Sequence, residues 1–232
     1  MTEISEAERK AVYKTIYGRR DVRSFFKPDP IPPETFARIL LAAHHAGSVG
    51  YMQPWNFIVI DDPEMKRRVK TAFERERNEA ALLFEGERRE KYLSYKLEGI
   101  VEAPVNLVVT SDPTRFGPQV IGRHAVPETD VYSTCCAIQN LWLAARAENV
   151  GVGWVSILKR DDLHEIFQIP REVTIVAYLC LGYVTHFPDR PDLERLGWGR
   201  RVPLSELVSF NRSAGAPPEG WKYFQLLLKE DP

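Results

Sequence analysis

The 232-residue chain has only three cysteines, and their placement excludes a disulfide framework: Cys135 and Cys136 are adjacent, and Cys180 sits in an apolar run. All three are expected to be reduced and buried. A dominant charge is also missing. With 31 Lys+Arg against 32 Asp+Glu the balance is -1, so no global field draws the chain to nucleic acid or to an anionic membrane, and any anion it binds must be held locally. No run is long enough to span a bilayer, and the N-terminal MTEISEAERK lacks the apolar core of a signal peptide, which predicts a soluble, cytoplasmic protein. The five histidines show no ligand spacing. His44 and His45 stand about 100° apart around a helix axis, and His124, His164 and His186 have no nearby Cys or His, so no metal site is expected. A P-loop, a G-x-G-x-x-G after a strand and a G-x-S-x-G are absent too.

What is present suits one packed domain over residues 1–232, since 44% of residues are hydrophobic and 27% charged. Periodicity and capping signals predict helices at 5–17, 33–46, 63–82, much of 86–100, 130–149 and 160–167. Strand-like runs are Trp55 to Ile60, Asn106 to Thr110, Val152 to Ile157 and Val173 to Tyr183. Two helical stretches intervene before Asn106, so an α+β sheet fits better than a Rossmann wind. The helix from Asp130 to Asn149 is apolar nearly all round, as a core helix or a dimer-interface helix would be. Residues 75–96 mix Arg, Glu and Lys around Leu82, Leu83, Phe84, Tyr92 and Tyr95, which suits either a solvated amphipathic helix or a lid closing on a substrate. The tail from Trp221 to Leu228 is too apolar to leave in water and should dock, on its own domain or across a partner subunit.

Two stretches carry chemistry. Arg19-Arg20-Asp21-Val22-Arg23 sets three fixed cations and one carboxylate on five residues. Guanidinium groups make planar contacts to phosphate oxygens, so the run is either an anion site with an added carboxylate or a surface charge cluster in which Asp21 is a salt-bridge partner or cap. The second stretch runs from Ala46 through Gly47-Ser48-Val49-Gly50-Tyr51-Met52-Gln53-Pro54 to Trp55 and feeds a strand. Its small residues and glutamine amide would let the main chain approach a flat heteroaromatic edge, though a plain helix-to-strand turn reads the same way.

R-R-x-x-R, then a small-residue turn ending in Q-P-W and a strand, then Gly151-x-Gly153, then a basic residue near Pro203-Leu204, resembles the FMN-dependent nitroreductase superfamily from about Arg19 to Val208. The forms RRDVR, SVGYMQPWNFIVI and GVGWVSIL resemble its flavin-fragmenting branch, which makes 5,6-dimethylbenzimidazole. Ordinary nitroreductases carry a hydroxyl residue in place of Asp21 and commonly an asparagine in place of Tyr51, which argues against a generic NAD(P)H nitroreductase.

The resemblance implies a mixed sheet flanked by helices in a homodimer, with FMN at the subunit interface and residues 203–232 as exchanged C-terminal arms. It gives Arg19 and Arg23 to the FMN phosphate, with Arg200 as the C-terminal basic contact and Arg20 as a weaker candidate. Asp21 lies beside the ribityl chain, and Val22 is a further flavin-binding position. Ser48 and Gly50, with Met52 and Gln53, reach the flavin from the second subunit, and Ser156 faces flavin N5. Reduced FMN is then a substrate, delivered by a separate flavin reductase and split with O2 into 5,6-dimethylbenzimidazole and erythrose 4-phosphate. Breaking the ribityl chain needs a general base, which suits Asp21, and a hydroxyl donor near N5, which suits Ser156. The alternative is a nitroreductase or dehalogenase that keeps its flavin, with Glu79, Tyr92 and Lys96 gripping a zwitterionic substrate.

Overall fold

The computed structural model describes residues 3–219, and the apolar stretch from Trp221 to Leu228 lies outside them. The chain divides into two compact units, one ending at Asp189 and the other beginning at Arg190. In the first, α1 (Glu6–Gly18) starts on a capping box: the Ser5 hydroxyl accepts from the Glu8 N–H at 3.3 Å while Glu8 accepts from the Ser5 N–H at 2.8 Å. Then come α2 (Pro33–His44), β1 (Trp55–Ile60), α3 (Pro63–Ala81), α4 (Gly86–Ser94), β2 (Val105–Ser111), α5 (Thr129–Ala147), β3 (Val150–Val155), α6 (Arg160–Phe167) and β4 (Thr174–Tyr183). Prolines at the first turn of α2 and α3 fix the starts the sequence predicts there.

The strands form one antiparallel sheet in the order β1-β2-β4-β3. Its central strands alternate between two cores. On one face Leu107, Val109, Leu179 and Leu181 pack with Ile39 and Ala43 of α2 and Ile138, Leu141 and Ala145 of α5. On the other, Val108, Tyr178 and Cys180 pack with Val69 and Phe73 of α3 and Leu163 of α6. Strand β3 is an outer strand, and residue 21 joins its free edge through a single parallel bridge to Val152. That bridge makes the α+β arrangement a mixed sheet.

The cysteines correct one expectation. Cys180 is buried, but Cys135 and Cys136 are exposed on α5 with Tyr132 and Gln139. These positions share the helix face opposite Ile138, Leu141 and Ala145, so the apolar character of α5 on all sides is not matched by burial on all sides within one chain. Helix α1 likewise has no buried residue and exposes Val12, Tyr13, Ile16 and Tyr17. No helix among the described residues is long and apolar enough to cross a membrane. In the second unit the described elements are the single-turn helices α7 (Asp192–Arg195) and α8 (Leu204–Leu207).

Candidate functional site

Where α1 ends, Arg19 turns extended (φ -71°, ψ 135°) and the chain is laid along β3. The Val22 N–H donates to the Val152 carbonyl at 3.0 Å. Gly153 explains why the segment fits: a Cβ there would lie 2.1 Å from the Val22 carbonyl oxygen, and one on Gly151 would lie 2.6 Å from Val184 Cγ1. The Gly151-Val152-Gly153 pattern is therefore the floor on which residues 21–22 rest, a role its short length conceals in sequence.

Both carboxylate oxygens of Asp21 are fixed. Oδ1 accepts from the Trp154 backbone N–H at 2.9 Å, and Oδ2 accepts from Arg23 Nη2 at 2.5 Å. The Trp154 amide faces the free edge of β3, and the side chain of Asp21 takes it where a longer added strand would have used a carbonyl. Ser156 comes two residues further, just past the end of β3, which begins and ends two residues earlier than the predicted run from Val152 to Ile157. It is exposed, and its hydroxyl makes no hydrogen bond among the described residues.

The arginines have separate duties. Arg19 lies over the Trp142 ring, its guanidinium carbon 4.8 Å from the centroid. Arg20 donates to the carbonyls of Tyr17 at 2.6 Å and Arg19 at 2.8 Å and to that of Asp189, closing the C-terminal end of α1. Its two terminal nitrogens are thus spent on backbone, while its Nε is buried without a partner among the described residues. Arg23, placed with the phosphate by the resemblance, is bonded to Asp21. Val22 is buried, so it meets any ligand through its backbone. Arg200 is exposed in the second unit.

The turn from Ser48 to Gln53 is built on its own backbone. The Ser48 hydroxyl accepts from the Gln53 N–H at 2.8 Å, its carbonyl accepts from the Tyr51 N–H at 3.0 Å, and Ser133 Oγ accepts from the Val49 N–H at 3.1 Å. Gly50 (φ 57°) is required twice over, since a Cβ would sit 2.5 Å from Val120 Cγ1. Tyr51 (φ 55°) and Gln53 (φ 48°) occupy the same left-handed region without that freedom, a strain that clusters at functional sites. Tyr51 is 80% exposed, whereas the Met52 side chain is 1% exposed and packs in the core. Among the described residues no hydrogen bond joins this turn to Asp21 or Ser156.

Glu79, Tyr92 and Lys96 do not converge. Glu79 pairs with Lys159 at 2.9 Å, Tyr92 is buried, and Lys96 pairs with Glu98 at 2.7 Å and Glu102 at 2.5 Å. Glu98 is the center of a buried network with Lys70 at 2.8 Å and the Ile100 N–H at 2.7 Å. Burial alone would raise its carboxyl, but the hydrogen bonds from Lys70, Lys96 and Ile100 outweigh that and hold it below the usual range. Arg75–Asp162 and Lys159–Glu76 (3.0 Å) tie α3 to α6.

A model of the nitroreductase family matches residues 16–183, which hold the Arg19–Arg23 segment, the Ser48–Gln53 turn and the glycine floor. The chain belongs to the nitroreductase family. Among its nitroreductase relatives, it is 44% identical over 185 residues to a 5,6-dimethylbenzimidazole synthase of Rhodospirillum rubrum, covering 80% of this chain and 87% of that protein. It is 37% identical over 198 residues to one of Rhodobacter capsulatus, covering 85% and 95%. The fold is similar to that of oxidized iodotyrosine deiodinase bound to FMN and 3-iodo-L-tyrosine, with TM-score 0.67, 21% identity, and coverage of 87% of this chain and 99% of that one. The nitroreductase fold thus places a carboxylate at residue 21 on the open edge of β3, with Ser156 beyond it.

Proposed function

We propose that this nitroreductase-family protein is a 5,6-dimethylbenzimidazole synthase that fragments reduced FMN with O2. The observation that carries the reading is the Asp21 carboxylate, held from both sides by the Trp154 N–H and Arg23 on the edge of β3. It is supported by the 44% identity to the Rhodospirillum rubrum synthase.

The residues present suit a flavin phosphate ester. Arg19 offers a cation stacked on Trp142, the Nε of Arg23 is buried without a partner among the described residues, and the Ser156 hydroxyl is unengaged. Bound reduced FMN supplies both the electrons for O2 and the carbon skeleton of the product. Asp21 takes a proton beside the ribityl C1′, its orientation fixed by the Trp154 amide. Ser156 donates a hydrogen bond near N5, where negative charge develops as oxygen reacts. Arg19 anchors the phosphate, and Arg200 joins it on the strength of the sequence resemblance. The Ser48–Gln53 turn serves the flavin of a partner subunit in a homodimer, which accords with the lack of any hydrogen bond from it to Asp21 among the described residues and with the apolar exposure of α1 and of Tyr51. A separate reductase supplies the reduced flavin.

The flavin-retaining alternative loses its substrate clamp, because Glu79 and Lys96 are committed to ion pairs and Tyr92 is buried. Aerobic incubation with chemically reduced FMN, followed by chromatography, tests the proposal. Benzimidazole and erythrose 4-phosphate should appear as flavin disappears. Full recovery of oxidised FMN would contradict it.

A further inference from the structure

We propose that Arg23 is a positioning residue that acts through Asp21, and that it is not a phosphate ligand. The contact stands on the structure alone, and its consequence for turnover rests on the fragmentation reading. Asp21 and Arg23 flank Val22, and their side chains meet beside it. Between them Val22 is immobile: its N–H is bonded to Val152, its side chain is 1% exposed, and its carbonyl fills the space left by the missing Cβ of Gly153. With the backbone pinned, Arg23 Nη2 meets Asp21 Oδ2 at 2.5 Å, the two side chains being only 16% and 26% exposed.

A shielded pair of this kind is costly to open, since either charge left alone would be poorly solvated. The Nη2 N–H that meets Asp21 could turn to a phosphate only by abandoning Asp21, whose remaining anchor would be one backbone N–H. The geometry thus gives the second arginine of R-x-D-x-R to the carboxylate, while the sequence resemblance gives the first to the anion. Arg23 can still offer its buried Nε to a bound flavin without releasing Asp21.

The test compares Arg23→Gln and Arg23→Lys with the unaltered protein in three measurements. These are the dissociation constants of FMN and of riboflavin, the yield of benzimidazole at saturating reduced FMN, and the thermal midpoints of Asp21→Asn, Arg23→Gln and the double variant without flavin. Arg23→Gln should keep the FMN-to-riboflavin affinity ratio within about twofold. Product formation should fall roughly a hundredfold, the usual effect of misplacing a reacting group by about 1 Å, and Arg23→Lys should recover part of it. The midpoint changes of the two single variants should not add in the double variant. The proposal is overturned if the affinity ratio collapses tenfold or more, if product forms at the normal rate, or if the midpoint changes add. Should Arg23→Gln fail to fold, the affinity ratio and yield of Arg23→Lys decide between the same outcomes. If the unaltered protein makes no benzimidazole, the fragmentation reading fails by itself, and the affinity ratio and the midpoints still decide what Arg23 does.

Discussion

Replacing Gly153 with alanine should damage the site without touching any of its functional groups. The new Cβ would lie 2.1 Å from the Val22 carbonyl oxygen and 3.2 Å from its carbonyl carbon, both backbone atoms with no rotamer escape. Restoring an ordinary separation of about 3.4 Å requires the segment to retreat by more than about 1 Å. That movement breaks the Val22 N–H bond to Val152 (3.0 Å) and the Trp154 N–H bond to Asp21 (2.9 Å). A neutral bond contributes about 1 kcal/mol net and one to a charged group about 1.5 to 3, so the expected loss is about 2.5 to 4 kcal/mol of stability. Displacing Asp21 by that amount should also lower benzimidazole formation roughly a hundredfold. Denaturant unfolding and product assays measure the two effects. Gly18→Ala is the control, because its Cβ would meet only Arg146 at an ordinary 3.7 Å and it sits at the end of a helix; it should be neutral or slightly stabilising. If Gly153→Ala is as stable and as active as the parent, the glycine floor is not what seats the carboxylate.

Other outcomes follow from single contacts. Asp21→Asn should bind reduced FMN and consume O2 yet form little benzimidazole; product at the normal rate would reduce Asp21 to a structural role. Ser156→Ala should lose about 2.7 to 4 kcal/mol of charge stabilisation, roughly a hundredfold or more in rate, and return oxidised FMN with hydrogen peroxide; normal yield without excess peroxide would leave only its backbone for N5. Arg19→Gln should lose about 1.5 to 3 kcal/mol in FMN affinity while riboflavin binding holds, and equal losses for both ligands would remove Arg19 from the phosphate. Glu98 is held below its usual 4.5 when folded. Its contribution is therefore complete above about pH 4.5 and disappears as pH falls through the lower folded value. Glu98→Gln should flatten that acid limb of the stability profile, and an unchanged limb would mean that other carboxylates govern it.

The sequence was most legible where one residue type enforces one geometry. Strand β1 was placed to the residue, Trp55 to Ile60, because Pro54 and Asp61-Asp62 bracket an apolar run. The start of α3 followed from Asp62-Pro63, and the Asp62 carboxylate does cap the Glu64 N–H at 2.8 Å. Strand β3 begins two residues before the predicted Val152 because Gly151 weakens strand propensity, where a Cβ would crowd Val184, while Gly153 admits the Val22 carbonyl. Cys135 and Cys136 are exposed where burial is expected, because apolarity on all sides of α5 does not say which side meets the sheet. In the candidate site, the motif named Asp21 and Ser156 and the turn at Ser48 to Gln53. It could not show that Met52 turns inward or that Arg20 closes a helix. Nor could it show that Arg23 and the Trp154 amide hold Asp21. The Trp154–Asp21 bond joins segments more than a hundred residues apart, which leaves no trace in local pattern.

The most direct measurement of the central claim is the fate of one atom. Reduced FMN labelled with carbon-13 at the ribityl C1′ should be incubated aerobically with the protein and the products separated and analysed by mass spectrometry. Fragmentation requires the label to appear in 5,6-dimethylbenzimidazole and to be absent from erythrose 4-phosphate, with flavin lost in equal amount. Recovery of the label in intact FMN would contradict the account.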